Sequence, residues 1–320
     1  MPYLRFPLRT VSPLINKGTS KIAELRTPSV IGQLRFWLRA ILGAQLADSE
    51  AVYQQESMLL GSTSTASSVM MQLREHAIIE ESVRVLPHSS DRRKSFEEES
   101  IFDNSSFDLK LIFRPGTTLD PRLAQALSLW LLLGGLGKRS RRMFGSIQLQ
   151  SYPRPSKTFD QTDTNYPDWW ANWEQIEKRP HLYARLVQLS LEIAFAENGQ
   201  GRFSSEPTFP ILHSDYCRVI VAEHGFDSAE KANIALFEVL RKDEYRNRHE
   251  YMFGSGKPRR ASPLIAQGRV FGDKYYPVFT CFRSPIDNRG RADWDVVDAA
   301  MDELEDVFNG QTVFGGKLDK

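Results

Sequence analysis

The sequence reads GGLGKRSRRMFGS from Gly134 to Ser146, directly after an apolar segment that ends at Leu133. Asp120 is a typical helix N-cap, so we predict that the apolar segment is a helix from Asp120 to Leu133. Ile147 and Leu149 alternate with polar residues and predict a strand. The segment is therefore a glycine-rich loop between a helix and a strand, and its glycines permit backbone conformations with positive φ.

The start of the chain predicts a strand followed by a helix. Residues Tyr3 to Leu8 alternate apolar and polar side chains, as a half-buried strand does. Ser29 predicts an N-cap, and the apolar residues after it recur at helical spacing as far as Leu42. On this helix Arg35 and Arg39 are four residues apart, which places both guanidinium groups on one side.

Two further strands complete the first half. Val69 to Leu73 and Phe107 to Phe113 alternate in the same way, on either side of a charged insertion from Asp91 to Ser100. The resulting order of strand, helix, strands, helix and strand is the split βαβ pattern of ferredoxin-like and RRM-like folds.

The next segment is rich in proline, serine and threonine and predicts a linker. A similar order of strands and helices comes after it. The predicted segments are the linker from Tyr152 to Asp168, a mostly helical stretch from Trp169 to Asn198, a strand from Arg218 to Ala222, a helix from Ser228 to Arg241, a basic loop from Asp243 to Ser262, a hairpin of Val270 with Tyr275 to Phe282, and a helix from Ala292 to Asn309. We therefore predict an α+β protein with two ferredoxin-like (RRM-like) βαββαβ domains and glycine-rich loops. Their bounds are 1–151 and 215–320, with a linker and helical connection at 152–214.

The overall charge excludes a uniformly basic protein of the histone type. Among 320 residues, 41 lysines and arginines face 40 aspartates and glutamates, which gives a net charge of +1. Cys217 and Cys281 lack the spacing of a zinc module or a disulfide framework. The apolar run from Leu127 to Leu136 is too short to cross a bilayer, and the first ten residues lack the apolar core of a signal peptide. We expect a soluble, cytoplasmic protein.

The loop at Gly134 to Ser146 gathers four cations within five residues: Lys138, Arg139, Arg141 and Arg142. Like charges repel, so this cluster is poorly explained by folding alone and favours an anionic ligand. A solvated loop tip neutralised by acidic neighbours is the alternative. The loop is not a Walker motif, because Leu132 stands where the motif needs glycine, and nucleotide hydrolysis is therefore disfavoured.

A second loop has a similar composition. Gly254 to Pro263 reads GSGKPRRASP and contributes Lys257, Arg259 and Arg260. Two basic glycine loops favour a continuous polyanion, because a small anion needs only one. Arg26 precedes the first helix and extends the basic set of Arg35 and Arg39, for which a solvated helix face is the alternative.

Catalysis is the weaker hypothesis. The histidines show no metal-binding spacing, and the glycines around Ser255 do not form a nucleophile elbow, because Met252 occupies the first glycine position. Metal-free RNA cleavage needs a general base near a 2′-hydroxyl, and His249 beside the second loop, with Lys257 to steady developing charge, is placed for it. We therefore keep open a metal-free endoribonuclease, as well as a purely protein-bridging subunit.

Four separated motifs resemble the RAMP superfamily of CRISPR effector subunits, and in particular the first subunit of the type III-B Cmr module. They are Leu25 to Ala40, Gly61-Ser62-Thr63, Gly134 to Ser146, and Arg259 to Leu264. Two positions depart from the family pattern: Met143 stands in place of glycine, and Leu60 in place of phenylalanine.

The resemblance implies a non-catalytic subunit of a multi-subunit ribonucleoprotein, and the alternative is a metal-free endoribonuclease that processes guide RNA precursors. The resemblance also implies two ferredoxin-like domains, no cofactor, other Cmr-type RAMP subunits as partners, and contact with guide RNA and target RNA near the guide 3′ end. The family's RNA-contacting positions correspond here to Arg26, Arg35, Arg39, Lys138, Arg139, Arg141 and Arg142. With the second loop, the predicted RNA-binding set also contains Lys257, Arg259 and Arg260.

Overall fold

The computed structural model describes residues 1–18, 22–46, 48–85, 97–156, 167–198, 206–246, 253–256, 259–284 and 293–319. The first half of the chain alternates strands and helices. Its elements are β1 (Tyr3–Thr10), α1 (Thr27–Leu46), α2 (Ser49–Leu60), β2 (Val69–Ala77), β3 (Glu80–Arg84), β4 (Glu97–Ile101), β5 (Ser106–Phe113), α3 (Pro121–Leu133), β6 (Ile147–Leu149) and β7 (Arg154–Pro155).

The first sheet has the strand order β2, β5, β1, β6, and β7 also pairs with β1. All of its pairings are antiparallel. Leu4, Phe6 and Leu8 of β1 are buried, whereas the intervening residues of β1 are partly exposed. This alternation turns one face of the sheet towards the core, which explains why the period of two in the sequence predicts the strand correctly.

A helical connection and a second sheet follow. Their elements are α4 (Asp168–Ala171), α5 (Trp173–Glu177), α6 (Leu182–Asn198), β8 (Cys217–Ala222), α7 (Ala229–Leu240), α8 (Asp243–Arg246), β9 (Ser255–Gly256), β10 (Arg259–Arg260), β11 (Leu264–Phe271), β12 (Lys274–Phe282), α9 (Trp294–Val307) and β13 (Gly310–Phe314). The second sheet has the order β11, β12, β8, β13 and is also antiparallel. The predicted α+β class is confirmed.

Several predicted boundaries change. Helix α1 begins at Thr27, two residues before the predicted N-cap, and the Ser29 hydroxyl instead donates to Asn16 Oδ1 over 3.1 Å. The last residues of the predicted charged insertion form strand β4, which pairs with β3, and 91–96 lie outside the described residues. The predicted basic loop contains α8 and the β9–β10 hairpin, and the predicted linker contains β7.

One apolar core runs through both halves of the molecule. Trp37 of α1, Leu132 of α3, Val187 of α6 and Val219 of β8 belong to the same buried cluster. Helix α6 packs on α1 and α3 and also on β8 and β13, so it lies between the two sheets. The domain bounds 1–151, 152–214 and 215–320 stay a prediction. In the described part of the chain, every helix is too short or too polar to span a bilayer.

Arg269 of β11 ties the second sheet to the end of helix α3. Its side chain is fully buried, and its Nε donates to Leu131 O over 2.6 Å while one Nη donates to Gly134 O over 3.0 Å. These carbonyls belong to the C-terminal end of the helix, where the partial charge is negative, and a cation is stabilised there. Burial lowers the pKa of Arg269.

We predict that Arg269→Leu lowers the free energy of unfolding by about 3 kcal/mol, because it leaves buried carbonyls without a donor. Denaturant unfolding followed by circular dichroism measures this change. Arg185→Leu is the control, since Arg185 is exposed on α6, and it should leave the midpoint unchanged. Equal midpoints for the two variants would show that Arg269 does not hold the halves together.

Candidate functional site

The loop from Gly134 to Ser146, called the arginine loop below, turns repeatedly through the left-handed region. Gly137 has φ 78° and Gly145 φ 66°, and two non-glycine residues, Arg139 and Met143, have φ 57° and 59°. A left-handed backbone favours glycine, which gives a physical reason for the family's glycine at position 143. Burial of the Met143 side chain in the apolar cluster of the second half compensates for this unfavourable backbone conformation.

The loop glycines allow the backbone to pack against the segment after β1. A Cβ at Gly137 would lie 2.4 Å from Ile15 O, and one at Gly145 would lie 2.0 Å from Leu136 O. The amide of Gly145 donates to Pro13 O over 2.8 Å, and that of Gly134 donates to Trp130 O over 2.8 Å. The amides of Gly134 and Gly145 therefore bond within the protein and are not free for an anion.

The second half of the protein holds the arginine loop from the other side. The amide of Met143 donates to Ala266 O over 2.8 Å. Asn233 Nδ2 donates to Arg142 O over 2.6 Å, and Gln267 Nε2 donates to Phe144 O over 3.1 Å. Sequence reasoning missed Asn233 and Gln267, since polar residues on a helix and a strand carry no local signal of such distant partners.

Arg141 and Arg142 bring the two predicted basic loops together. The Arg141 guanidinium donates to Ser262 O, and it lies 5.4 Å from the centre of the Phe36 ring. The Arg142 guanidinium donates to Phe253 O and, over 3.4 Å, to Leu264 O. Burial, together with the charges of Arg141 and Arg139, lowers the pKa of Arg142 to about 10, so it stays protonated at neutral pH.

Arg35 and Arg39 bind the same carboxylate, which confirms that they lie on one side of α1. Glu56 of α2 is fully buried and pairs with both guanidinium groups. Arg35 also donates to Leu60 O over 3.0 Å and to Gly61 O over 2.6 Å. The hydrogen bond that Arg39 donates to Glu56 raises the pKa of Arg39, whose side chain is 51% exposed.

Glu56 was not foreseen from the sequence, although a signal was present. It follows Val52 by four residues and precedes Leu59 by three, so it lies on the buried side of α2. A carboxylate at such a position requires a cationic partner.

The structure also describes three other cations of the predicted RNA-binding set, namely Arg26, Lys138 and Arg139. Arg26 pairs with Glu24 over 3.3 Å, and Lys138 pairs with Glu98 over 3.1 Å. Arg139 makes no side-chain hydrogen bond or ion pair with any residue that the structure describes; burial lowers its pKa, and Glu98 opposes that effect.

Part of the second basic loop lies outside the described residues. The backbone of Arg259 and Arg260 forms β10 and pairs with Ser255–Gly256. Lys257 and His249 lie outside the described residues, so the predicted endoribonuclease pair stays a prediction.

A cleft of about 280 Å³ lies between α1 and the arginine loop, and we call it the arginine cleft. Its lining contains two arginines and, as far as the structure describes it, no carboxylate. The lining residues are Gly32, Gln33, Phe36, Trp37, Arg39, Gly134, Ser140, Arg141 and Ile265.

The arginine cleft also holds an unused hydrogen-bond donor. Trp37 is fully buried, and its indole Nε1 finds no acceptor among the described residues. A Cβ at Gly134 would come within 2.8 Å of this nitrogen, so glycine keeps the space beside it open. Two cations, of which only Arg39 pairs with a carboxylate, and an unpaired N–H make the cleft suited to an oxyanion such as phosphate.

Neither metal nor thiol chemistry is indicated by the described side chains. No group of three or more histidine, cysteine, aspartate or glutamate side chains among them is arranged to hold a metal ion. Cys217 and Cys281 are fully buried, and burial raises the pKa of both thiols.

Comparison with known proteins finds a family model that is similar to part of the chain. Residues 7–148, which include α1, α3 and the whole arginine loop, match the family model of the RAMP superfamily. The RAMP match ends just after the loop whose glycines and arginines define the site.

The similarity to individual proteins extends over nearly the whole length of the chain. It is 28% identical to the CRISPR system Cmr subunit Cmr1-1 of Pyrococcus furiosus, over 90% of each chain. The crystal structure of apo Cmr1 from Pyrococcus furiosus superposes with a TM-score of 0.66 at 18% identity, covering 98% of this chain and 99% of that one. A chain of the type III-B Cmr-beta complex bound to cognate target RNA gives a TM-score of 0.59 at 10% identity, covering 96% and 99%.

The shared carboxylate yields a prediction for the site. Glu56→Gln keeps the shape of the side chain but removes the charge that faces two guanidinium groups, so unfolding should cost about 2 kcal/mol less. Chemical denaturation of both proteins measures the difference.

The matched control is Glu50→Gln on the exposed first turn of the same helix, which should change stability by about 0.5 kcal/mol or less. If Glu56→Gln unfolds at the same denaturant concentration as the control, Glu56 does not anchor the two arginines.

Proposed function

We propose that this protein is a non-catalytic RNA-binding subunit of a type III-B CRISPR RNA-guided interference complex. In this proposal it acts in the cytoplasm beside other Cmr-type RAMP subunits and contacts guide RNA and target RNA near the guide 3′ end. The similarity to a Cmr subunit over 90% of both chains supports membership of such a complex. A similar fold in a Cmr assembly bound to target RNA supports RNA as the ligand.

The observation that carries the proposal is the arginine cleft. It joins Arg39 of α1 to Arg141 of the arginine loop, two cations more than a hundred positions apart in the sequence. Arg141 and Arg142 in turn contact the second half near its own basic loop. Cations from two distant segments therefore meet in one cleft, beside the backbone of the second basic loop, which favours the binding of a polyanion.

Both arginines of the cleft keep nitrogen atoms available for a ligand. Arg39 uses Nε and one Nη for Glu56, and Arg141 uses one Nη for the Ser262 carbonyl. The other Nη of Arg39, and the Nε and second Nη of Arg141, make no hydrogen bond with the described residues. Together with Trp37 Nε1, these N–H groups are donors for phosphate oxygens, with Lys138 and Arg139 at the edge of the same loop.

The fold supports the proposed role. We infer that the two sheets define two ferredoxin-like domains joined by the helical connection, with glycine-rich loops at their ends. Numbered within its own βαββαβ unit, each sheet has the strand order two, three, one, four. In this order a split βαβ unit places both helices on one face of the sheet.

We predict that Arg39→Gln combined with Arg141→Gln weakens binding to all RNA sequences alike, because phosphates carry no sequence information. The dependence of log affinity on log salt should become shallower by about 0.7 for each lost contact, hence by about 1.4. Fluorescence anisotropy with a single-stranded RNA over a range of salt concentrations measures both effects.

The control carries the same change in net charge on the opposite face of the first sheet. Arg5→Gln with Arg9→Gln removes two cations that pair with Asp108 and Glu177, and it should leave the salt dependence unchanged. If the cleft variant is folded and its salt dependence equals that of wild type, RNA does not occupy the arginine cleft.

A further inference from the structure

A second cavity lies against the same loop. It has a volume of about 300 Å³ and extends from strand β3 to the N-terminus of helix α7. Met143 and Phe144, the residues that follow Arg141 and Arg142, form part of its wall, and Val83 and Phe102 add further apolar surface. Residues of one short loop thus line both this cavity and the arginine cleft. We call the second one the amide cavity, after Asn233.

Two hydrogen-bond acceptors in the amide cavity are unused. Asn233 is 3% exposed, and its Nδ2 donates to Arg142 O over 2.6 Å, which fixes the orientation of the amide. Its Oδ1 is buried and has no partner among the described residues, and the same is true of Asp103 Oδ1. Both residues line the cavity. Buried acceptors without donors are rare in folded proteins, so this pair indicates a ligand that donates hydrogen bonds.

The charges around the amide cavity exclude a phosphate as its occupant. Its described lining contains three carboxylates, Glu81, Asp103 and Glu230. Arg84 is the one cation in that lining. The arginine cleft has the reverse character, with two cations and no carboxylate. A ligand of the amide cavity therefore needs a flat or apolar body for the aromatic wall and N–H donors for the acceptors.

We propose that the amide cavity holds one unpaired nucleobase of the RNA strand and prefers bases with an exocyclic amino group, namely adenine, cytosine and guanine, over uracil. This inference rests on the proposed function, because the base arrives on the strand whose phosphates the arginine cleft binds. An amino group donates to Asn233 Oδ1 and Asp103 Oδ1, while the ring packs against Phe102 and Phe144. Uracil has a single ring N–H with a carbonyl oxygen on each side of it. These oxygens only accept hydrogen bonds, so they cannot bond to Asn233 Oδ1 or Asp103 Oδ1.

The test uses the full-length protein and a labelled oligouridylate in which one central nucleotide is replaced in turn by adenosine, cytidine or guanosine. Each replacement should tighten binding about tenfold, the factor typical of one good pair of base-edge hydrogen bonds. Asp103→Leu should abolish the preference while affinity for oligouridylate stays the same. The matched control, Asp295→Leu on the exposed first turn of α9, should retain the preference.

A second measurement keeps the proposal testable if a leucine variant fails to fold. 2-Aminopurine at the central position carries an exocyclic amino group, and its fluorescence should fall when it stacks in the cavity of the wild-type protein. Unchanged fluorescence on saturation with protein would overturn the proposal.

The outcomes separate this inference from the proposed function. Absence of binding to every oligonucleotide, oligouridylate included, overturns the proposed function. Binding to all of them with equal affinity, or a preference that survives Asp103→Leu, overturns the base cavity alone. If preference is absent and Asp103→Leu instead releases another subunit of the complex, the cavity receives a basic side chain of a protein, and the base proposal is wrong.

Discussion

The site depends on how the arginine loop is fixed: its guanidinium groups donate to neutral carbonyl oxygens and not to carboxylates. Arg141 bonds to Ser262 O, and Arg142 bonds to Phe253 O and Leu264 O. A carbonyl holds an arginine in place without cancelling its charge, so the loop is rigid and still strongly positive. The lowered pKa of Arg142, about 10, reflects burial and this unrelieved repulsion. A polyanion that supplies the missing negative charge is therefore bound with favourable electrostatics.

The carbonyl contacts also explain why both halves of the protein belong to one site. Arg142 reaches the second half, and Arg269 of the second half reaches the C-terminal end of α3 immediately before the loop. Asn233 and Gln267 add hydrogen bonds to loop carbonyls. The loop consequently cannot move independently of β11 and α7. On one side it presents arginines to a cleft without carboxylates, and on the other it closes an apolar cavity with unpaired acceptors.

The sequence predicts those features that depend on local periodicity. The period of two in Tyr3 to Leu8 and the helical spacing of apolar residues after Asp120 identify β1 and α3 correctly. The position of Arg35 and Arg39 on the same side of α1 also follows from their spacing of four residues. Contacts between distant segments leave no such pattern, which is why Arg269 and the meeting of the two basic loops were not predicted. Met143 was noticed only as a departure from a family pattern, and its left-handed φ of 59° supplies the reason.

The most direct test of the central claim is photo-crosslinking of the assembled ribonucleoprotein, followed by mass spectrometry that assigns the crosslinked residues. If the uncompensated positive surface binds RNA, crosslinks should concentrate on the arginine loop between positions 138 and 144 and on α1 between positions 32 and 39. Crosslinks confined to other surfaces, or a particle in which this subunit carries none, would contradict the account.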